Sequence, residues 1–117
     1  ELRFRNLRLL GWMIKKLEGR QAAKPVWDEM VATCGHRWQP YIELAKYREH
    51  ISKEFDKALE LAELVANERA FVDVDREKLN RRIERLQKKL AGTYVAQEGD
   101  ELDFEDRTPP AAPNADR

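Results

Sequence analysis

Cysteine is almost missing from this chain. Cys34 stands alone, so no internal disulfide can form and the expected surroundings are reducing, as in a cytoplasm. Long apolar runs are missing as well. No stretch approaches the ~20 residues that a membrane span needs, and no basic-then-apolar leader with a cleavage site opens the chain. Histidine is scarce, with His36 and His50 alone. Cys34 and His36 are near neighbours and His50 falls on a different helix; these read as ordinary side chains rather than metal ligands. A Gly-rich phosphate loop, zinc-type Cys/His spacing and a nucleophile elbow are all lacking. Glu43, Glu49 and Glu54 read as spread over a surface face, with nothing to pair them as acid and base. The expectation is therefore no catalytic residue, no metal and no cofactor.

Net charge is also lacking, with 22 basic residues against 22 acidic, but the balance hides an asymmetry. From Tyr94 onward there are seven acidic residues and two basic, a net of −5, which leaves +5 on residues 1–93. A basic body with an acidic tail is expected. At 117 residues the chain is one small domain. It opens at Glu1 without methionine and is expected to be a piece of a longer protein.

What the sequence does contain is a helical hairpin, repeated. Tyr41, Leu44, Ala45, Tyr47 and Ile51 fall at helical spacing and form one apolar stripe. A polar break at Ser52, Lys53 and Glu54 follows, and Phe55, Ala58, Leu59, Ala62 and Val65 open a second stripe. Small residues at Ala45, Ala58 and Ala62 allow close backbone approach. Upstream, Leu7, Leu10, Gly11 and Ile14 repeat the first stripe, Gly19 and Arg20 the break, and Ala22, Ala23, Trp27 and Met30 the second. Leu10 to Leu44 and Gly11 to Ala45 are each 34 residues apart, whereas Ala23 to Ala58 is 35, so the second turn is expected to carry one extra residue. A period in this range marks stacked helical repeats.

The spacing predicts helix one over residues 2–18, with Leu7, Leu10, Ile14 and Leu17 inward and Gly19 as its C-terminal glycine. Helix two runs from about Gln21 to Thr33, with its start left open between Gln21 and Lys24 because of Pro25. Pro40 opens helix three, and helix four covers about Glu54 to Arg69. Asp73 or Asp75 caps a fifth helix, Arg76 to Ala91, whose Leu79, Ile83, Leu86 and Leu90 give a narrow apolar seam and a charged remainder facing water. Residues 1–92 are thus one helical domain: repeat one about 4–34, repeat two about 38–69 and a capping helix about 75–91. Residues 93–117 form an acidic tail containing proline and alanine, read as disordered from Gln97 on.

The motifs Leu7-x2-Leu10-Gly11-x2-Ile14 with Ala23-x3-Trp27, and Tyr41-x2-Leu44-Ala45 with Ala58-x3-Ala62, resemble the tetratricopeptide repeat (TPR). Leu7 and Ala62 replace aromatics of that pattern, and Arg48 stands where its first helix has Tyr. The resemblance implies an all-α fold, a right-handed stack of two antiparallel helix pairs with a capping helix. The run PYIELAKYREHISKEFDKALELAE, followed by RRIERLQKKL, also looks like the C-terminal region of bacterial proteins with a ribonuclease-H-like, DEDD-type exonuclease domain. That likeness covers about residues 7–91 and none of the nuclease's acidic metal-binding segments. It implies an appendage that positions substrate or partner for a nuclease elsewhere in a parent chain.

Two faces are candidate sites. In TPR-like stacks the first helix of each pair lines a concave surface, which here presents Arg5, Arg8, Trp12, Lys15, Lys16, Ile42, Lys46, Glu49 and His50. Such a groove suits an acidic, extended or helical peptide with an apolar anchor, and the chain's own segment Glu98 to Asp106 has that chemistry. The second face, Arg81, Arg82, Arg85, Lys88 and Lys89, suits phosphates of a nucleic acid, although Asp75, Glu77 and Glu84 are interleaved along the helix. The leading expectation is a non-catalytic protein-interaction scaffold; the alternative is a nucleic-acid-contacting accessory domain of a nuclease.

Overall fold

Two antiparallel hairpins and a closing rod account for the regular structure. The computed structural model describes residues 2–95 and, among them, contains five α-helices and no strand. They are α1 (Leu2–Glu18), α2 (Arg20–Thr33), α3 (Gln39–His50), α4 (Phe55–Asn67) and α5 (Arg76–Ala91). Each packs most extensively on its neighbours in sequence, α1 on α2, α2 on α3, α3 on α4 and α4 on α5. The fold is all-α, as the periodicity requires. The expected acidic, disordered tail falls almost wholly on residues 96–117, outside the described residues.

The ends of the helices follow from their terminal residues. Gly19 has φ 98° and ψ 170°, a conformation open to glycine and costly for other residues, so α2 starts at once with Arg20. It closes α1 without the left-handed helical geometry expected of it. Pro25 therefore lies inside α2, on an exposed side where water can satisfy the carbonyl its missing N–H leaves behind. The second turn is longer by three residues, 51–54 against Gly19 alone, rather than by the one expected, because the conformation of Gly19 lets α2 start at once. Asp75 caps α5, accepting a hydrogen bond from the Lys78 amide at 3.1 Å. Gly92 closes it in the left-handed region (φ 74°). Arg76 ties the α4–α5 link down, donating to the Ala66 carbonyl at 2.8 Å and the Phe71 carbonyl at 2.9 Å.

Two apolar clusters share α3. Phe4, Ala23, Trp27, Met30, Cys34 and Leu44 fill the space among α1, α2 and α3. Ile42, Ala58, Ala62, Val65, Phe71, Leu79 and Leu86 fill that among α3, α4 and α5. Trp27 and Leu44 are buried as expected, and Ala45, Ala58 and Ala62 have no exposed surface at all. The inward face of α1 is the expected one in part: Leu7 and Ile14 pack against the α1–α2–α3 cluster and Gly11 is buried, as its place in the stripe implied, but two expected positions differ. Leu10 and Leu17 are exposed, while Phe4 and Gly11 are buried. The helix is rotated so that Gly11 meets Trp27, and Leu10 and Leu17, one position earlier and one short of two turns later, swing about 100° away. On α5, Leu90 is likewise exposed, whereas Leu79 and Leu86 are buried.

At Gly11 the backbone of α1 lies close against the Trp27 indole of α2. A Cβ there would lie 2.9 Å from Trp27 Nε1 and 3.3 Å from its Cδ1. Gly11→Ala gains ~1 kcal/mol of helix propensity, but forcing the wedged indole aside costs ~1–3 kcal/mol. The expected result in urea unfolding is net destabilisation of up to about 2 kcal/mol. Trp27→Ala should cost ~3–5 kcal/mol and turn Gly11→Ala into a stabilising change when the two are combined.

Candidate functional site

Ion pairs join α3 to α1 through Glu43 and Lys15, and to α5 through Glu49 with Arg82, Arg85 and Lys89. On α1, Arg5, Arg8, Trp12 and Lys15 recur at three- and four-residue spacing and so share a stripe. On α3 the corresponding stripe is Ile42, Lys46 and Glu49. On α5 it is Arg82, Arg85 and Lys89.

Glu49 is the convergence point. Its carboxylate has no exposed surface and takes a two-pronged grip from Arg85, Nε to Oε2 at 2.8 Å and Nη2 to Oε1 at 2.9 Å. Lys89 Nζ donates to Oε2 at 2.7 Å and Arg82 Nη1 to Oε1 at 3.4 Å. His50 Nε2 lies 3.7 Å from Oε1. Burial pushes the carboxyl up, but hydrogen bonds from Arg85 and Lys89, with the charges of Arg85 and His50, outweigh it and hold the pKa at about 2 against an ordinary 4.5. Paired, bidentate and charge-assisted contacts of this kind offset the cost of taking a carboxylate out of water.

Nearly two turns back along α3, Glu43 links the other two cations. Lys46 Nζ, fully buried, is 3.6 Å from Oε2, and Lys15 Nζ of α1 is 3.8 Å from Oε1. At those distances the three form an ion cluster, not direct hydrogen bonds. Arg8 stands within the fields of Glu43 and Asp73; desolvation lowers its pKa, and the two carboxylates work against that. Asp73 itself accepts a hydrogen bond from Trp38 Nε1 at 3.0 Å. Lys16 sits above the Trp12 ring, 5.9 Å from its centroid.

The first candidate face is thus divided. Arg8 and Lys16 are exposed, Arg5, Trp12, Lys15 and His50 half-buried, and Ile42, Lys46 and Glu49 buried. The last three lie on the floor, beneath any contact surface, and Glu49 lies on no solvent face shared with Glu54. The second face is divided too. Arg81 and Lys88 are exposed, Arg81 pairing with Glu77 at 2.9 Å. Arg82 is buried, and with Arg85 and Lys89 it is turned inward onto Glu49, so the charged remainder of α5 does not all meet water. Glu43 and Asp73 were not singled out from the sequence as members of a site. Among the described residues no group of three or more His, Cys, Asp or Glu is arranged to hold a metal, and Cys34 packs into the α1–α2–α3 core.

Removing the Glu49 charge leaves three cations facing one another, so Glu49→Gln should cost ~3–5 kcal/mol at pH 7 in urea unfolding. A carboxyl whose folded-state pKa is depressed contributes stability above its unfolded value and loses it as pH falls. The natural chain should therefore lose more stability than Glu49→Gln between about pH 4.5 and 2. Parallel pH curves for the two proteins would contradict the assignment.

The chain is 39% identical over 85 residues to "Uncharacterized protein YprB" of Bacillus subtilis (strain 168). The match takes in 70% of this chain and 21% of that protein, so the chain spans about a fifth of the length of the curated relative it matches. No family model and no solved structure matches it. No helix among the described residues is long and apolar enough to cross a membrane.

Proposed function

We propose that this chain is a non-catalytic, TPR-like interaction module, the C-terminal appendage of a larger bacterial protein, whose α1–α3–α5 side receives an acidic peptide. The observation that carries the reading is the basic, aromatic-edged surface over that side, with Arg8 and Lys16 exposed and Trp12 half-buried between them. An acidic chain gains charge-assisted contacts there, and an apolar side chain gains the Trp12 ring. The serial packing of the helices, each on its neighbours in sequence, suits a stacked-repeat scaffold. The much longer Bacillus relative suits a module carried within a larger protein, and the likeness to the tails of ribonuclease-H-like proteins makes a nuclease parent the reading we favour. A phosphate-binding role for α5 has less support, because Arg82, Arg85 and Lys89 are already held by Glu49.

Fluorescence anisotropy tests this with two probes, a fluorescein-labelled acidic nonapeptide carrying one phenylalanine and a labelled single-stranded oligonucleotide. The peptide should bind, and Arg8→Glu with Lys16→Glu should weaken it tenfold or more, equivalent to ~1.4 kcal/mol. Lys53→Glu, in the α3–α4 turn, serves as the control and should change little. Peptide affinity indifferent to the α1 reversals, or tighter binding of the oligonucleotide at physiological salt, would overturn the proposal.

A further inference from the structure

The outer side of α1 is apolar where water would favour charge. Leu2, Leu10, Met13 and Leu17 keep 59%, 45%, 45% and 79% of their surface exposed, and Leu9, half-buried, falls among them. With 3.6 residues per turn these five share an arc of about 100°, on the side of the helix away from the buried Gly11. Asn6 is the one polar residue within that arc. Single exposed apolar residues such as Val72 are ordinary, but a continuous row some four turns long marks an interaction surface.

The spacing of the row indicates what covers it. Leu2 and Leu17, Asn6 and Met13, and Leu9 and Leu10 are pairs equally distant from the midpoint between Leu9 and Leu10. The row therefore reads the same from either end. An antiparallel second copy of α1 would set Leu2 against Leu17, Asn6 against Met13 and Leu9 against Leu10, each pairing made twice about a two-fold axis, as an isologous interface requires. Charge permits the approach. On one border of the row Arg3 is paired with Glu29 at 2.7 Å, and Lys15 is drawn inward to Glu43, while Lys16 on the other border reaches water on its flexible stem. Area permits it too. The 17 residues of α1 make a rod ~25 Å long and ~11 Å across, so covering its outer half withdraws ~500 Å² from each copy, ~1,000 Å² in all, the lower bound for a specific interface. An interface of that size suits a weak, reversible dimer.

We infer that α1 pairs with the α1 of a second copy of this chain, antiparallel and centred between Leu9 and Leu10, in a weak two-fold dimer. The row needs no part of the peptide reading, because Arg8 lies roughly 140° round the helix from Met13. Pairing through the row leaves the Arg8 side uncovered, so either conclusion can fall without the other.

Sedimentation equilibrium of the full chain, from about 1 μM to about 1 mM, tests this. The average mass should rise from that of one chain toward that of two, with a midpoint of about 10–100 μM for so small an interface. Met13→Glu with Leu17→Glu, both at exposed positions, should keep the helical circular dichroism of the natural chain and raise the midpoint at least tenfold. Val72→Glu, an exposed apolar position in the α4–α5 link, should leave it unchanged. Asn6→Lys tests the register, because antiparallel pairing sets the introduced lysine against the introduced glutamate of the other copy. Added to Met13→Glu, it should restore much of the association that Met13→Glu alone removes. A monomer at every concentration, assembly beyond two chains, or a dimer indifferent to the Met13 and Leu17 changes would overturn the inference. Failure of Asn6→Lys to rescue Met13→Glu would overturn the antiparallel pairing. A monomer that instead sediments with vesicles of phosphatidylserine and phosphatidylcholine would assign the row to a lipid surface, and the dimer would fall.

Discussion

A single carboxylate sealed beneath three cations fixes how the last helix meets the rest. Glu49 sits on the far side of α3 from Leu44, and its partners Arg82, Arg85 and Lys89 come from successive turns of α5. An apolar seam alone tolerates sliding, because Leu79 and Leu86 would find acceptable contacts one turn up or down. A buried ion pair does not, since a one-turn slip strands a charge away from water at a cost of several kcal/mol. The stabilising role of Glu49 is therefore one of register as much as of energy. It sets which residues of α5 face α3.

The same arrangement makes α3 the spine of the molecule. Leu44 belongs to the core shared with α1 and α2, and Ile42 to the core shared with α4 and α5. Lys46 and Glu49 fill the remaining side with charge. A helix enclosed on so many sides ordinarily carries few ionisable residues. Here the two that are fully buried are matched, Glu49 by α5 and Lys46 through Glu43. Structure and electrostatics thus share one set of side chains, and the positive side follows from the way the closing helix is anchored.

Much of this was readable from residue order. The five helices, the Gly92 stop, the small-residue contacts at Ala45, Ala58 and Ala62, and the burial of Trp27 all follow from spacing and side-chain size. The phase of α1 was readable only in part. Its residues are apolar nearly all round, so Leu10 and Leu17 looked as suitable for the interior as Phe4, and only the fit of Gly11 against the Trp27 indole selects the actual face. The burial of Glu49 was hidden for a different reason. A glutamate among charged neighbours reads as solvated, and three cations more than thirty residues downstream cannot be linked to it by local pattern. The one available signal was the opposed spacing, Lys46 and Glu49 at i, i+3 against Arg82, Arg85 and Lys89 at i, i+3, i+7, and it acquires meaning only once the two helices are known to face each other.

The claim on which the rest turns is that Glu49 and the cations of α5 interact directly out of water. A double-mutant cycle of Glu49→Gln and Arg85→Gln, measured by urea unfolding at pH 7, tests it without reference to any partner. A coupling energy of about 2–3 kcal/mol is predicted, because either change alone removes most of what the pair contributes. Additivity of the two substitutions within ~0.5 kcal/mol would contradict the account, and α5 would then be held by its apolar seam alone.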